Sequence, residues 1–195
     1  MFFVVQSEER PEGWAFISTS NAWAVWLNAN IPQGLSQNVR RLLKSNLKHI
    51  ITGMELKAAL VQPHHDEPGV LFEPYYQNFI SEFCVATFSV LEGLGSAHWL
   101  DREGLSGEGA PHVGTQQWVS ALCEVYDSEG EYSLAEAVER TRVVRNKLHQ
   151  DKVGAREDID WHAFSFEGAF LPAKSGMGVL LLNRADLVPD TTNLR

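Results

Sequence analysis

The stretch 133–150 reads S-L-A-E-A-V-E-R-T-R-V-V-R-N-K-L-H-Q, and its spacing predicts an amphipathic helix. Ser133 followed by Glu136 is a capping-box pattern, in which the two side chains satisfy free amides of the first turn. Leu134, Val138, Thr141, Val144 and Leu148 recur in steps of four, three, three and four, so they line one face that has to meet a core. Arg142, Arg145, Asn146 and His149 follow similar steps along the edge of that face. Two guanidiniums, an amide and an imidazole so placed suit the gripping and cleavage of a phosphate ester. They suit a solvated helix end equally well, because cations there complement the helix dipole.

The same period extends to the neighbouring segments. Ser36 caps a helix expected to run to about residue 62, with Val39, Leu43, Leu47, Ile51, Met54, Ala58 and Val61 in register. Residues 63–69, P-H-H-D-E-P-G, read as a loop. Glu73-Pro74 opens a second long helix, closing at His98 and Trp99, with proline in the first turn where its missing amide costs little. Its broad apolar band, including Ile80, Phe83, Cys84, Phe88 and Leu91, marks it as the central helix. Gly93 and Gly95 lower helix propensity by about 1 kcal/mol each and permit a bend or a close approach there.

A loop over 101–112 and a shorter helix over 113–126 follow. Beyond a polar run at 151–158, Asp158 or Asp160 caps a helical region bearing Trp161, Phe164 and Phe166, broken at Pro172. Residues 174–183 read as helix or as a short hairpin. At the other end, Phe2 to Val5 read as a strand or packed arm, and Ser20 or Asn21 as the cap of a short helix. Trp14, Trp23 and Trp26 form either a core lid or an aromatic binding platform. The expected fold is all-α: an antiparallel four- to five-helix bundle with an N-terminal arm. One domain is expected, with an arm or lid at 1–34, a core bundle at 35–150, a C-terminal helical region at 151–188 and a frayed tail at 189–195.

The totals narrow the function. A chain of 195 residues suits one well-cored domain. Its formal charge of −9 argues against a broad surface for duplex DNA, which requires many phosphate contacts. Cys84 and Cys123 sit in apolar helical patterns, and two such thiols make no disulfide framework, so a reducing cytoplasm is the expected setting. The apolar runs are too short or too interrupted for a membrane span of roughly 20 residues, and no membrane association is expected.

Against the acidic total, Arg40, Lys44 and Lys48 fall four residues apart with Arg41 alongside. That ridge is a candidate RNA-binding footprint, or a solvated helix face. His64-His65-Asp66-Glu67 invites a metal reading, but adjacent histidines in a loop lack ligand geometry and no further Cys/His pair completes a set. No metal and no cofactor are therefore expected. Neither a phosphate-cradling glycine loop nor a nucleophile elbow is present.

Residues 142–151, R-V-V-R-N-K-L-H-Q-D, resemble the motif helix of the HEPN superfamily of small helical bundles. That motif is an arginine, often followed by Asn, Asp or His, with a histidine four to six residues further along a late helix. Arg145-Asn146 looks like its start, with three residues before His149; from Arg142 six residues intervene and Val143 follows the arginine. The resemblance covers about the middle two thirds of the chain and implies one of two kinds of protein. One is a metal-independent endoribonuclease of a toxin or defence type, with RNA as substrate and an antitoxin or other protein as partner. There the motif helices of a homodimer face each other, and His149 serves as general acid or base. Arg142 or Arg145 steadies the phosphate charge and Asn146 orients the reacting groups. The other is a non-catalytic binding or dimerisation module for a protein or nucleotide. The ribonuclease reading gains if the cationic ridge and the Arg/His shoulder share a surface.

Overall fold

Side-chain caps start half of the described α-helices, and burial of one stripe on each holds them together. The computed structural model describes residues 2–3, 11, 13–66, 68, 71–126, 133–147 and 160–195. It is an all-α bundle of six α-helices: α1 (Ser20–Asn30), α2 (Gln37–Asp66), α3 (Glu73–Arg102), α4 (Thr115–Tyr126), α5 (Leu134–Asn146) and α6 (Leu171–Leu182). A two-residue strand, β1 (Phe2–Phe3), pairs antiparallel with β2 (Trp14–Ala15) ahead of the helices.

Helix α3 is the centre. It packs against α2, α4, α5 and α6, while α1 lies on α2. Its Ile80, Phe83, Cys84, Val90, Leu91 and Leu94 are fully buried, consistent with the broad apolar band. By length and mean hydropathy α3 could cross a membrane, but 56% of its most apolar window is buried inside the bundle, as a core helix requires. Three contacts set α2 antiparallel to it: Gly93 against Leu43 and Leu47, Lys57 paired with Glu82, and the His64 ring on Tyr76. Phe88 and Gly95 instead meet Trp118 of α4, and His98 meets Tyr126.

The helix ends show where local signals sufficed. Ser133 Oγ accepts from Glu136 N at 3.2 Å, as the capping pattern predicts, but the Glu136 carboxylate is engaged by Arg140 at 2.7 Å. Ser36 Oγ accepts from Val39 N at the start of α2. Thr19, and not Ser20 or Asn21, caps α1, accepting from Ala22 N. Helix α3 continues past Trp99 to Arg102.

The α2 terminus, Pro172 and the tail depart from expectation. Helix α2 does not stop at Gln62; it runs through Pro63 to Asp66. Proline normally ends a helix by removing a donor and crowding the preceding turn. Here tertiary contacts outweigh it: His64 is buried on Tyr76, its Nδ1 accepts from Leu71 N, and Gln62 donates to Asp66. Pro172 does not break the C-terminal helix but occupies its first turn, after a π-helical turn at Phe166–Phe170. Residues 171–182 are helix, which settles the alternative of a hairpin.

Trp23, Trp26 and Leu27 of α1 are fully buried in the same core as the other helices, so the two tryptophans close over the core and form no binding platform. Nor does the tail fray: Leu194 is fully buried, and the buried Glu55 carboxylate of α2 accepts from Thr192 Oγ1, Asn193 N and Asn193 Nδ2. Asn193 also donates to the Phe16 carbonyl at 2.8 Å, so segments from both ends of the chain meet beside α2.

Candidate functional site

Where the C-terminal half of α1 meets the first turns of α2, the two helices enclose a groove of about 480 Å³. Asn28 and Ile31 line it from the α1 side; Gln37, Asn38, Arg40, Arg41 and Lys44 line it from α2. The volume falls within the usual range for small-ligand sites, about 300–1,000 Å³. The cationic ridge lies at this groove because positions 40, 41 and 44 sit on adjoining turns of a helix. Lys48, one turn further, is not among the lining residues.

The groove cations make contacts unlike those of the basic residues held in ion pairs. Arg102 pairs with Glu103 and Glu124, Arg140 with Glu136, Arg142 with Glu139, Lys57 with Glu82 and Arg184 with Asp186. Lys44 Nζ instead donates to Asn28 Oδ1 at 3.0 Å, and Arg41 Nη2 to Asn38 Oδ1 at 3.1 Å. Both acceptors are neutral amides. Among the described residues no carboxylate pairs with Arg40, Arg41 or Lys44, and the buried Arg40 Nε has no hydrogen-bond acceptor. A buried charged donor without an acceptor costs well over the ~1 kcal/mol that a neutral hydrogen bond returns. The start of a 30-residue helix adds its partial positive charge beside these cations. Two acids beside the start of α2 are engaged by other donors: Glu108 accepts from Ser36 Oγ, and Asp101 from Gly34 N.

The shoulder of α5 is arranged differently. Arg142 makes a bidentate pair with Glu139, at 2.6 and 2.8 Å, and those hydrogen bonds hold the Glu139 carboxyl below its ordinary value. Arg145 lies over the Phe88 ring, 5.4 Å from its centroid, and donates to Asn146 Oδ1 at 3.3 Å. His149 lies outside the described residues. The groove and this shoulder do not share a face of α3. Gly93 is covered by α2, whereas Phe88, under Arg145, faces α4. Five residues of helix turn the two positions by about 140°.

The histidine pair stands at the C-terminal end of α2. His64 is buried, which lowers its pKa by desolvation, while His65 stacks on Phe166 at 3.7 Å. Among the described residues no group of three or more His, Cys, Asp or Glu is placed to hold a metal. Trp23 and Trp26 are core residues and no binding platform; Trp14 is 42% exposed. Asn28, Ile31, Gln37 and Asn38 are the lining residues that sequence reasoning missed. The clustered cations at 40, 41 and 44 were visible, but the facing amide comes from another helix.

The fold and groove together define a helical bundle with a cationic cleft. Comparison with protein-family models, curated proteins and solved structures finds no match for this chain.

Proposed function

We propose that this protein is a non-catalytic, HEPN-like helical module that binds a phosphate-bearing ligand in the α1–α2 groove. One observation carries the reading: three cations with no carboxylate partner among the described residues line a single cleft, beside three amides and one isoleucine. That set can hold an anion through charge-assisted hydrogen bonds. It offers no His, Cys, Ser, Asp or Glu to act as nucleophile or as general base, so it supports binding and not turnover. Arginine forks suit phosphoryl oxygens, and Lys44 adds a compact point charge.

The test is titration with tripolyphosphate, wild type beside the Arg41→Gln/Lys44→Gln double variant. Wild type is expected to bind, more weakly as salt rises, and the variant to lose about tenfold for each ~1.4 kcal/mol of contact removed. Equal binding by both proteins refutes the groove; no binding by either refutes the module.

A metal-independent ribonuclease is the second reading. Arg145 and Asn146 favour it, since they stand side by side at the end of α5 with no carboxylate partner among the described residues. Cleavage of total RNA in EDTA by wild type, and not by Arg145→Ala or His149→Ala, would establish it over the binding module.

A further inference from the structure

We propose that the ligand is a compact molecule carrying two or more phosphates on a hydroxyl-rich, non-aromatic scaffold, and not a nucleic-acid strand. This inference rests on the binding reading above and specifies what the groove selects. Arg40 and Lys44 stand four residues apart on α2, about one helical turn of 5.4 Å along the axis, with Arg41 alongside. Three cations so stationed match the charge of two neighbouring phosphates. A single phosphate would leave part of that charge without a partner.

The remaining lining chemistry describes the scaffold. Asn28, Gln37 and Asn38 bring amide groups to the groove; the Asn28 and Asn38 oxygens accept from Lys44 and Arg41, which leaves their NH2 groups to donate to ring hydroxyls. Among the described residues Ile31 is the only apolar lining residue, and none is aromatic. Stacking on aromatic rings supplies about 1–3 kcal/mol per base in proteins that hold single strands, and this groove has no ring to provide it. The exposed rings of Phe72 and Tyr75 lie by the first turn of α3, which faces the far end of α2. Twenty-four residues of helix, roughly 36 Å, separate Arg40 from His64 at that end.

The charge map excludes a long strand in the same way. A strand follows a continuous basic track. Along α2 the run stops after Lys48: Glu55 is buried and Lys57 is paired with Glu82. Beside the start of α2, Glu108 lies next to Ser36 and Asp101 next to Gly34. The cations form an island on a chain of net charge −9, which attracts a small polyanion locally and repels an extended one.

The experiment is calorimetric titration of the full chain at low salt with five probes. They are tripolyphosphate, inorganic phosphate, fructose 1,6-bisphosphate, ADP and a single-stranded RNA decamer. Fructose 1,6-bisphosphate is expected to bind at least tenfold more tightly than inorganic phosphate and more tightly than ADP or the decamer. Arg41→Gln/Lys44→Gln is expected to weaken it at least tenfold, whereas Arg140→Gln, on α5 and outside the groove lining, leaves it unchanged. Tighter binding of the decamer or of ADP overturns the inference while the groove reading stands. Failure of every probe, tripolyphosphate included, overturns the groove reading itself.

Discussion

Replacing Gly95 with alanine sets two effects of opposite sign against each other. Helix α3 gains about 1 kcal/mol of propensity, because alanine loses less backbone entropy than glycine. The new Cβ, however, would stand 2.5 Å from the Trp118 carbonyl oxygen, 3.1 Å from its carbon and 3.0 Å from the indole edge. Close carbon–oxygen contacts across packed backbones settle at about 3.3 Å, so α4 has to retreat by roughly 0.8 Å. No rotamer relieves the clash, since the obstacle is backbone. The retreat also loosens the edge-on packing of Phe88 on Trp118, whose ring is fully buried.

Overpacking of this kind costs typically ~1–3 kcal/mol, occasionally more, so sterics outweigh propensity and a net loss of about 2 kcal/mol is expected. Gly53→Ala is the matched control. The nearest atom to its Cβ is Lys57 Nζ at 3.9 Å, so the same propensity gain goes unopposed and about 1 kcal/mol of added stability is expected. Urea unfolding, read as midpoints at unchanged slope, compares the three proteins. Stability of Gly95→Ala equal to or above wild type would refute the close approach of α3 and α4.

Two further outcomes follow from the buried polar groups. Glu55→Ala strands the donors of Thr192 and Asn193, which predicts a loss of about 2–3 kcal/mol and faster proteolysis near residue 190; an unchanged digestion pattern would contradict the clamp. His98 sits beside Tyr126, and desolvation lowers its pKa below the ordinary 6.5, with Asp101 partly opposing. The unfolded chain then binds the proton more readily, so this contribution to stability is complete above about pH 6.5 and is lost as pH falls further. His98→Gln should therefore flatten the decline in stability between pH 7 and 5, leaving a residual slope from His64, which is shifted in the same direction. An identical decline in wild type and variant would exclude His98 as the source.

Much of the fold was legible because its signals are local. The Ser133 cap, the stripe of α5 and the proline at the first turn of α3 each depend on residues within a turn or two. Pro63 misled for the complementary reason. Its local preference ends a helix, and only the distant Tyr76 and Leu71 show why α2 continues. Glu55, flanked by Met54 and Leu56, carries no sign of burial, since its partners are 137 and 138 residues away. At the groove, the positions of Arg40, Arg41 and Lys44 were readable from their spacing. Their lack of carboxylate partners was not, because it depends on where every acid of the fold comes to rest.

The clamp on Glu55 has a temporal consequence. A chain made at ~5–20 residues per second needs on the order of ten seconds to travel from Glu55 to Thr192. Throughout that interval the carboxylate must stay hydrated, because desolvating it without its donors is costly. The flank of α2 around Glu55 therefore stays wet until residues 192 and 193 have been made and can dock there.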